Sequence, residues 1–502
     1  MKHSSILGIS GIDRSFAVSL YSGGRISFAI EEDKLRRFRG LGMRHLEGLG
    51  SRAIDLGLSR LGREIHGVEV VAYVPPVESS AEEIQEQCEF VSQFLERHYG
   101  ISPPVEIVDY CSAHLAFERA VHGNAEHVFH VSNSRAIYSR SGSAAHELDR
   151  KFSIGQFAED CAEFLGLDPH RIHHLEGIAR RGEPRFLAEL QEVVNLGTNS
   201  NSGAKAFRKL TGSPQLSTGK TLLKVHFDIA ASFHELLRRE ICDLLNSISF
   251  DRAGTVALSG EVFQSWSLND QIASQFPDTN FLFSFASGSS ACAVGGPLVL
   301  AGHKQIGSLS PFLGPRYSPA EVKSVLDNCK ARYEYCPSNQ ATEMVCEALM
   351  QGKMVGWFNG PCEFGYRALG ARSVFANPAN PYACDNLSSF LKKRPSYLPY
   401  AVAMKEDEIP GIRSPHLSRS THLPEYFDNS PVRLQTVSSI GSPSLYQLLE
   451  SFQARSGVRA MLNTSLNYFE EPIACTPRDA LKTFFASGLD VLVIENFVLR
   501  KS

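Results

Sequence analysis

An α/β architecture is what this chain predicts, on three observations. Short apolar runs alternate with stretches of helical periodicity along most of its length, the composition is that of an ordinary globular protein, and 502 residues are too many for one core. The first element is a hairpin over 5–32. Ile6–Ile9 and Phe16–Leu20 are apolar runs, Ser22-Gly23-Gly24 supplies a turn, and Arg25–Ile30 follows. Helical spacing then covers Arg44–Leu61 and Ala81–His98, with a strand at Val68–Val74 between them. A further strand, Val105–Val108, precedes a helix from about Ser112. Helices are expected at Gly155–Leu165, Pro184–Val194 and Leu223–Ile248. The Gly-, Ser- and Asn-rich stretch Asn195–Ser217 reads as a loop, Thr255–Leu258 as a strand, and Phe283–Gly296 as a small-residue loop opening a helix. Gly, Pro and Ser cluster around Ser308–Ser318, which marks a connector. Beyond it, strands at Met354–Phe358, Val402–Met404, Ala460–Leu462 and Val491–Ile494 are separated by helices at Pro319–Asn328, Thr342–Gln351, Ser444–Ser456 and Pro477–Ser487. Ser318-Pro319 and Thr476-Pro477 each place a capping hydroxyl before a proline at the first helical position. The two N-terminal lobes are compatible with a distant duplication.

Hydrophobic residues make up 43% and charged residues 21%, which excludes a disordered, collagen-like or coiled-coil chain. Fifty Lys and Arg against 54 Asp and Glu give a net charge of −4, so no electrostatic footprint for nucleic acid or an anionic membrane is expected. Eleven cysteines without a CxxC pair argue for reduced thiols. Asp13 and Arg14 interrupt the first apolar stretch too early for a secretory signal, and no window is long and apolar enough to span a bilayer; a cytoplasmic protein is expected.

Three stretches carry chemistry. Gly356–Ser373 (GWFNGPCEFGYRALGARS) runs from a strand into a glycine-punctuated loop bearing Glu363, Arg367, Arg372 and Ser373. Such glycines let the backbone approach a ligand, and guanidinium groups bind phosphate or carboxylate in a bidentate manner. Lys392-Lys393-Arg394 places three cations before an apolar strand. Asn463, Ser465 and Asn467 follow a strand end in LNTSLN. On pattern alone each is also explained by a solvated loop or turn.

Taken together, in this order and at these spacings, GWFNGPCEFGYRALGARS, KKRPSYLPYA and LNTSLNYFEEPIACTPRDAL resemble the carbamoyltransferases of the NodU/CmcH type, which carbamoylate nodulation factors and antibiotics. The C-terminal run TFFASGLDVLVIENFVLRK and the N-terminal ILGIS and EEDKLRRFR are similar to the family's ending and opening, so the resemblance extends over the whole chain. It implies an N-terminal two-lobed actin-like ATPase domain (1–305), a linker (306–335) and a YrdC-like α/β domain (336–502). The last would form carbamoyl adenylate from ATP and carbamoyl phosphate, and the first would pass the carbamoyl group to a small-molecule acceptor in specialised metabolism such as antibiotic biosynthesis. In that picture Lys392, Arg394 and Arg367 are catalytic, and Glu363, Arg372, Ser373, Asn463, Ser465 and Asn467 bind nucleotide or carbamoyl phosphate. Magnesium is compatible with the ATP. A biosynthetic partner protein and a homodimer stay open.

The first half departs from the family pattern. The family's His-Asp pair after the first strand is replaced by Gly11-Ile-Asp-Arg-Ser15. The family's HHxAH metal motif is Tyr110-Cys-Ser-Ala-His114, its VDGxGE element is Val131-Ser-Asn-Ser-Arg135, its GDAG loop is Gly288-Ser-Ser-Ala291, and the lysine of its KxMGLA is His174. One histidine among serines is a poor set of ligands for a divalent ion, so no metal residues are assigned and a tightly held iron-type ion is not expected. His114 then reads as a buried helix histidine and Cys111 as a small apolar residue. Arg14, His114, Arg135 and His174 are the polar groups of an altered transfer lobe. Pro361 and Tyr366 replace the arginine and proline usual in the glycine loop. Two readings follow: a metal-independent transfer onto a hydroxyl or amine, or N-terminal lobes that are a scaffold and transfer nothing.

Overall fold

In the computed structural model the described residues are 3–61, 67–123, 125–132, 134–150, 153–167, 172–195, 222–248, 250, 252–302, 309–394, 398–409, 419–427, 431–468 and 471–501. Three sheets organise them. The first contains β1 (Ser5–Ser10), β2 (Ala17–Ser22), β3 (Arg25–Glu31), β4 (Val70–Val74) and β5 (Val105–Ile107), in the order β3-β2-β1-β4-β5. The second contains β6 (His127–Val131), β7 (Ala136–Arg140), β8 (Ala145–Glu147), β9 (Thr255–Ser259) and β10 (Asn280–Phe283), in the order β8-β7-β6-β9-β10. In each, three strands meander antiparallel and two more add in parallel beside the first. The two sheets therefore share one topology. A shared topology of this kind is what a duplication of the two lobes would leave.

The helix Tyr110–Val121 leads from the first sheet to the second, and the helix Gly288–Leu300 returns and packs on it and on β1. This return is close. A Cβ on Gly295 would stand 1.9 Å from the Ala113 carbonyl oxygen, and one on Gly8 2.0 Å from that of Ala293, so the small-residue stretch is an interface between helices and sheet. It becomes helical at Gly288, well inside the segment expected as loop. The helix expected over Arg44–Leu61 is broken into a 3-10 turn, Met43–Leu46, and a helix, Arg52–Ser59. Gly48 and Gly50 lie in the gap, and Gly50 has φ +67°.

The third sheet has nine strands: β11 (Glu334–Tyr335), β12 (Val355–Phe358), β13 (Arg372–Ala376), β14 (Ala401–Lys405), β15 (Arg419–His422), β16 (Pro431–Val437), β17 (Ala460–Ser465), β18 (Val491–Ile494) and β19 (Phe497–Arg500). Their order is β11-β19-β18-β12-β13-β17-β14-β16-β15. β12 with β18 and β14 with β16 are parallel, and the other neighbours are antiparallel. Ser318 and Thr476 cap helices Pro319–Asn328 and Pro477–Ala486 as expected, each within a reciprocal capping box. The connector is not slack. Leu309 N–H bonds the Ala120 carbonyl, Ala29 N–H that of Leu313, and Gly314 N–H that of Cys362. The loop expected over Asn195–Ser217 lies outside the described residues, apart from Asn195, which ends the helix Leu187–Asn195.

Candidate active site

The glycine loop 359–371 between β12 and β13 is shaped from within by a buried carboxylate. Glu363 Oε1 accepts the backbone N–H groups of Leu369 (2.9 Å), Ala371 (2.7 Å) and Arg372 (2.9 Å). The Arg372 side chain is fully buried. It donates to the carbonyls of Gly360 (3.0 Å) and Pro315 (3.2 Å), with its guanidinium 3.5 Å above the centre of the Phe358 ring. Ser373 is buried opposite Ser465 in the β13–β17 ladder. Glu363 and Arg372, expected as ligand contacts, hold the loop, because a glycine-rich segment without internal partners would leave its backbone polar groups unsatisfied; Glu363 Oε2 and Arg372 Nε keep no hydrogen-bond partner among the described residues. Two glycines are forced. Gly365 (φ +92°) would bring a Cβ to 2.3 Å from the Phe285 carbonyl oxygen, and Gly370 (φ +109°) to 2.4 Å from Leu445.

A second clamp comes from the first lobe. Lys34 Nζ donates to the carbonyls of Glu363 and Gly365, both at 2.6 Å, and pairs with Glu31 at 2.8 Å. Glu31 Oε1 in turn accepts from Gly365 N–H (2.6 Å) and Ser290 Oγ (3.1 Å). Arg37 reaches the Ile473 carbonyl (2.6 Å) and the Glu471 carboxylate (3.0 Å), and Arg39 the Glu471 carbonyl (2.9 Å). The EEDKLRRFR stretch grips both loops of the third sheet.

Above this frame the other expected residues converge. Lys392 ends a π-helical stretch, Asn386–Lys392, and its Nζ donates to the backbone carbonyls and side-chain oxygens of both Ser465 and Asn467. Ser465 Oγ donates to Asn467 Oδ1 at 2.7 Å. Burial, reinforced by the charges of Arg394 and Arg39, holds the Lys392 ammonium well below its ordinary pKa. Arg394 bonds Ser388 Oγ (3.1 Å) and stacks 4.8 Å from the Tyr400 ring centre. Asn463 and Ser465 lie within β17 rather than after it, and strand alternation puts both on one face.

That face carries a residue the motifs did not single out. Arg433 on β16 is buried, its Nε and Nη2 have no hydrogen-bond partner among the described residues, and burial followed by the nearby charge of Arg367 lowers its pKa to about 9. Arg394 and Glu176 are its other electrostatic neighbours. Asn463 Nδ2 donates to Gln435 Oε1 (2.6 Å), while Asn463 Oδ1 is left without a partner. Val432-Arg-Leu-Gln435 alternates apolar and polar residues, and this period of two was the signal that would have found Arg433. Arg367 and Arg394 both lie within electrostatic range of Arg433, and Lys392 within that of Arg394, which makes a cationic cradle. The unpaired donors of Arg433 are a standing cost that a phosphate or carboxylate would remove.

The altered transfer lobe is different. His114 is fully buried, with Nδ1 3.3 Å from Ser259 Oγ and its ring 4.4 Å from that of His130 and 4.7 Å from Tyr110. Burial keeps it neutral. Cys111 is buried with its thiol pushed up to about 12, in keeping with a packing role. Arg135 is spent on Asp109 (3.1 Å) and Glu147 (3.3 Å). Arg14 is half-buried after β1, within electrostatic range of Glu261. His174 lies in the helix Ile172–Ala179, and its side chain is outside those described. Among the described residues no group of three or more His, Cys, Asp or Glu is arranged to hold a metal, no disulfide joins the cysteines, and no helix is long and apolar enough to cross a membrane.

Comparisons with known proteins bear on the whole chain. Residues 346–501 match the family described as Carbamoyltransferase C-terminus. Nodulation protein NolNO of Sinorhizobium fredii is 24% identical over 549 aligned positions, covering 97% of this chain and 78% of that one. An uncharacterised protein of Synechocystis sp. is 28% identical over 66% of this chain, a match spanning 64% of that protein's length. The 3'-hydroxymethylcephem-O-carbamoyltransferase of Streptomyces clavuligerus is 31% identical over 28% of each chain. Among solved structures, component A of (R)-2-hydroxyglutaryl-CoA dehydratase from Acidaminococcus fermentans aligns with a TM-score of 0.38 at 14% identity, over 59% of this chain and 96% of that one. Full-length HypF aligns at 0.34 and 13%, over 61% and 47%.

Proposed function

We propose that this chain, which belongs to the NodU/CmcH-type carbamoyltransferase family, is an ATP-dependent carbamoyltransferase that activates carbamoyl phosphate as carbamoyl adenylate and passes the carbamoyl group to a small molecule. The observation that carries this reading is the cationic cradle, with Arg433 Nε and Nη2 buried and without hydrogen-bond partners among the described residues. Polyphosphate is dense in acceptors, and guanidinium groups match it in geometry as well as charge. In the adenylation step Lys392 and Arg394 would neutralise the phosphate oxygens as pyrophosphate departs, and Arg367 and Arg433 would hold the carbamoyl phosphate. The Glu363-pinned loop keeps these groups in place before substrate arrives, so little reorganisation is left for the reaction itself.

The test is pyrophosphate release and carbamoyl adenylate formation by the purified full chain with ATP and carbamoyl phosphate. Wild type is expected to release pyrophosphate only when both are present, and Lys392→Ala to slow it about 10³-fold, the scale of losing one preorganised electrostatic contact. Release that ignores carbamoyl phosphate, or that survives Lys392→Ala, would overturn the assignment. The internal pairing of Arg135 and the neutral burial of His114 support the second reading, in which the N-terminal lobes are scaffold. Pyrophosphate release without carbamoylation of any acceptor would favour it.

A further inference from the structure

A small pocket opens where the two N-terminal lobes meet the glycine loop. Its polar wall is built by Glu118, Gln264, Ser284, Ser287, Tyr366 and Arg367, and aromatic and aliphatic side chains complete it. Of the polar groups assigned to the altered transfer lobe, Arg14, His114 and Arg135 do not line it. Gln264 Nε2 donates to Ser287 Oγ at 2.7 Å, and Ser287 Oγ meets the Tyr366 hydroxyl at 2.5 Å. Tyr366, one of the two loop residues that depart from the family pattern, thus has its hydroxyl tied to the second lobe.

Glu118 is the unusual member. It projects from the helix Tyr110–Val121, is 1% exposed, and accepts from Ser284 Oγ at 2.5 Å. Ser284 Oγ also lies 3.2 Å from His122 Nε2, which is 3.8 Å from Glu118 Oε2. That imidazole gives no compensating charge, because burial lowers its pKa to about 4. Burial likewise raises Glu118 to about 8, close to the range in which aliphatic ammonium groups release a proton. A buried carboxyl facing a pocket with only a neutral histidine within ion-pair range, among the described residues, is matched best by a cation brought in by the ligand. The guanidinium of Arg367 on the same wall belongs to the cationic cradle and suits an anionic leaving group.

We propose that this pocket is the acceptor site of the transfer half-reaction, and that the acceptor is a small primary amine that binds as its ammonium to Glu118. The inference rests on the adenylation reading above. In the step it assigns, the ammonium gives one proton to the Glu118 carboxylate and the freed amine nitrogen attacks the carbamoyl carbon of carbamoyl adenylate. The new N–C bond forms as the C–O bond to the AMP phosphate breaks. AMP leaves with that electron pair beside Arg367, the second nitrogen proton passes to solvent, and the product is a substituted urea.

Ethanolamine, which offers an amine and a hydroxyl in one molecule, is the probe. The full chain is supplied with ATP, carbamoyl phosphate and ethanolamine, and the carbamoylated product formed per pyrophosphate released is measured by mass spectrometry. The urea is the expected product. Glu118→Gln should lower its yield per pyrophosphate at least 100-fold, with partial recovery in Glu118→Asp, and Ser284→Ala should lower it about 10-fold. Because the ratio is internal to each preparation, a variant that folds poorly does not mimic the effect. Carbamate ester as the sole product, no carbamoylated product while pyrophosphate is released, or a ratio in Glu118→Gln within threefold of wild type would each overturn the inference alone. Absence of pyrophosphate from wild type would overturn the adenylation reading and this inference with it.

Discussion

The cradle on the third sheet and the helix Tyr110–Val121 differ in the charge they bury. On the sheet, three arginines stand near one another, and Nε and Nη2 of one of them, Arg433, have no hydrogen-bond partner among the described residues. On the helix, His114 is neutral, its Nδ1 bonded to Ser259 and its Nε2 without a partner among the described residues, while Arg135, between β6 and β7, is closed into two ion pairs. A folded chain tolerates unsatisfied buried charge where a ligand completes it, and otherwise settles such groups internally. On the proposed reading, the buried charge on the sheet is what phosphate would complete, the first turns of the helix serve packing, and Glu118 is the group on it that reacts.

The sharpest way to break this comparison is Arg433→Met. If the unsatisfied guanidinium serves a ligand, the variant should raise the KM for carbamoyl phosphate or ATP about 10- to 100-fold, and should also raise the thermal midpoint by about 2–4 °C, because a costly buried charge is removed. Weaker binding together with a lower midpoint would show Arg433 to be a structural strut instead. A second, smaller effect concerns Glu118. Its carboxyl is raised from its ordinary value to about 8 in the folded protein, so its contribution to stability is full below about pH 4.5 and declines as pH rises towards 8. Glu118→Gln removes that decline, and its midpoint relative to wild type should climb between pH 5 and pH 8 in thermal scans; a constant difference would show the carboxyl to be ionised and compensated. The smallest effect is a proton count. Lys392 is held well below its ordinary pKa by burial and neighbouring cations, and an arriving polyphosphate restores it. Binding of a non-hydrolysable ATP analogue near pH 8 should therefore take up a fraction of a proton, read from calorimetric heats in buffers of different ionisation enthalpy, and Lys392→Met should abolish the uptake.

Much of the frame was legible because local signals and tertiary demands agree there. Ser318-Pro319 and Thr476-Pro477 start helices where their caps predict, and the apolar run Val491–Ile494 is a buried central strand. Legibility failed where one local cue had to be weighed against another. Apolar spacing over Arg44–Leu61 is helical, yet two glycines interrupt it. Asn463, Thr464 and Ser465 look like a turn, yet they extend β17 because Ser373 and Phe375 of β13 pair with Ser465 and Asn463. The site was readable as a set of motifs but not as an arrangement. Nothing in the order of residues says that Glu363 and Arg372 shape the loop from within while Arg433, in no motif, is buried with unpaired donors among the described residues. Glu118 and Ser284 are 166 positions apart and meet only because one helix crosses between lobes.

The grip of Lys34 and Glu31 on the Glu363–Gly365 backbone has an evolutionary corollary. The nine-stranded half has its own sheet and core, but a piece of it excised from the rest would lose the ammonium that satisfies two carbonyls of its key loop and the carboxylate that receives Gly365 N–H. Gene fission between the halves, or swapping one half for a cousin's, would have to carry along the segment from Glu31 at the end of β3 to Lys34, which ties the divergence of one half to that of the other.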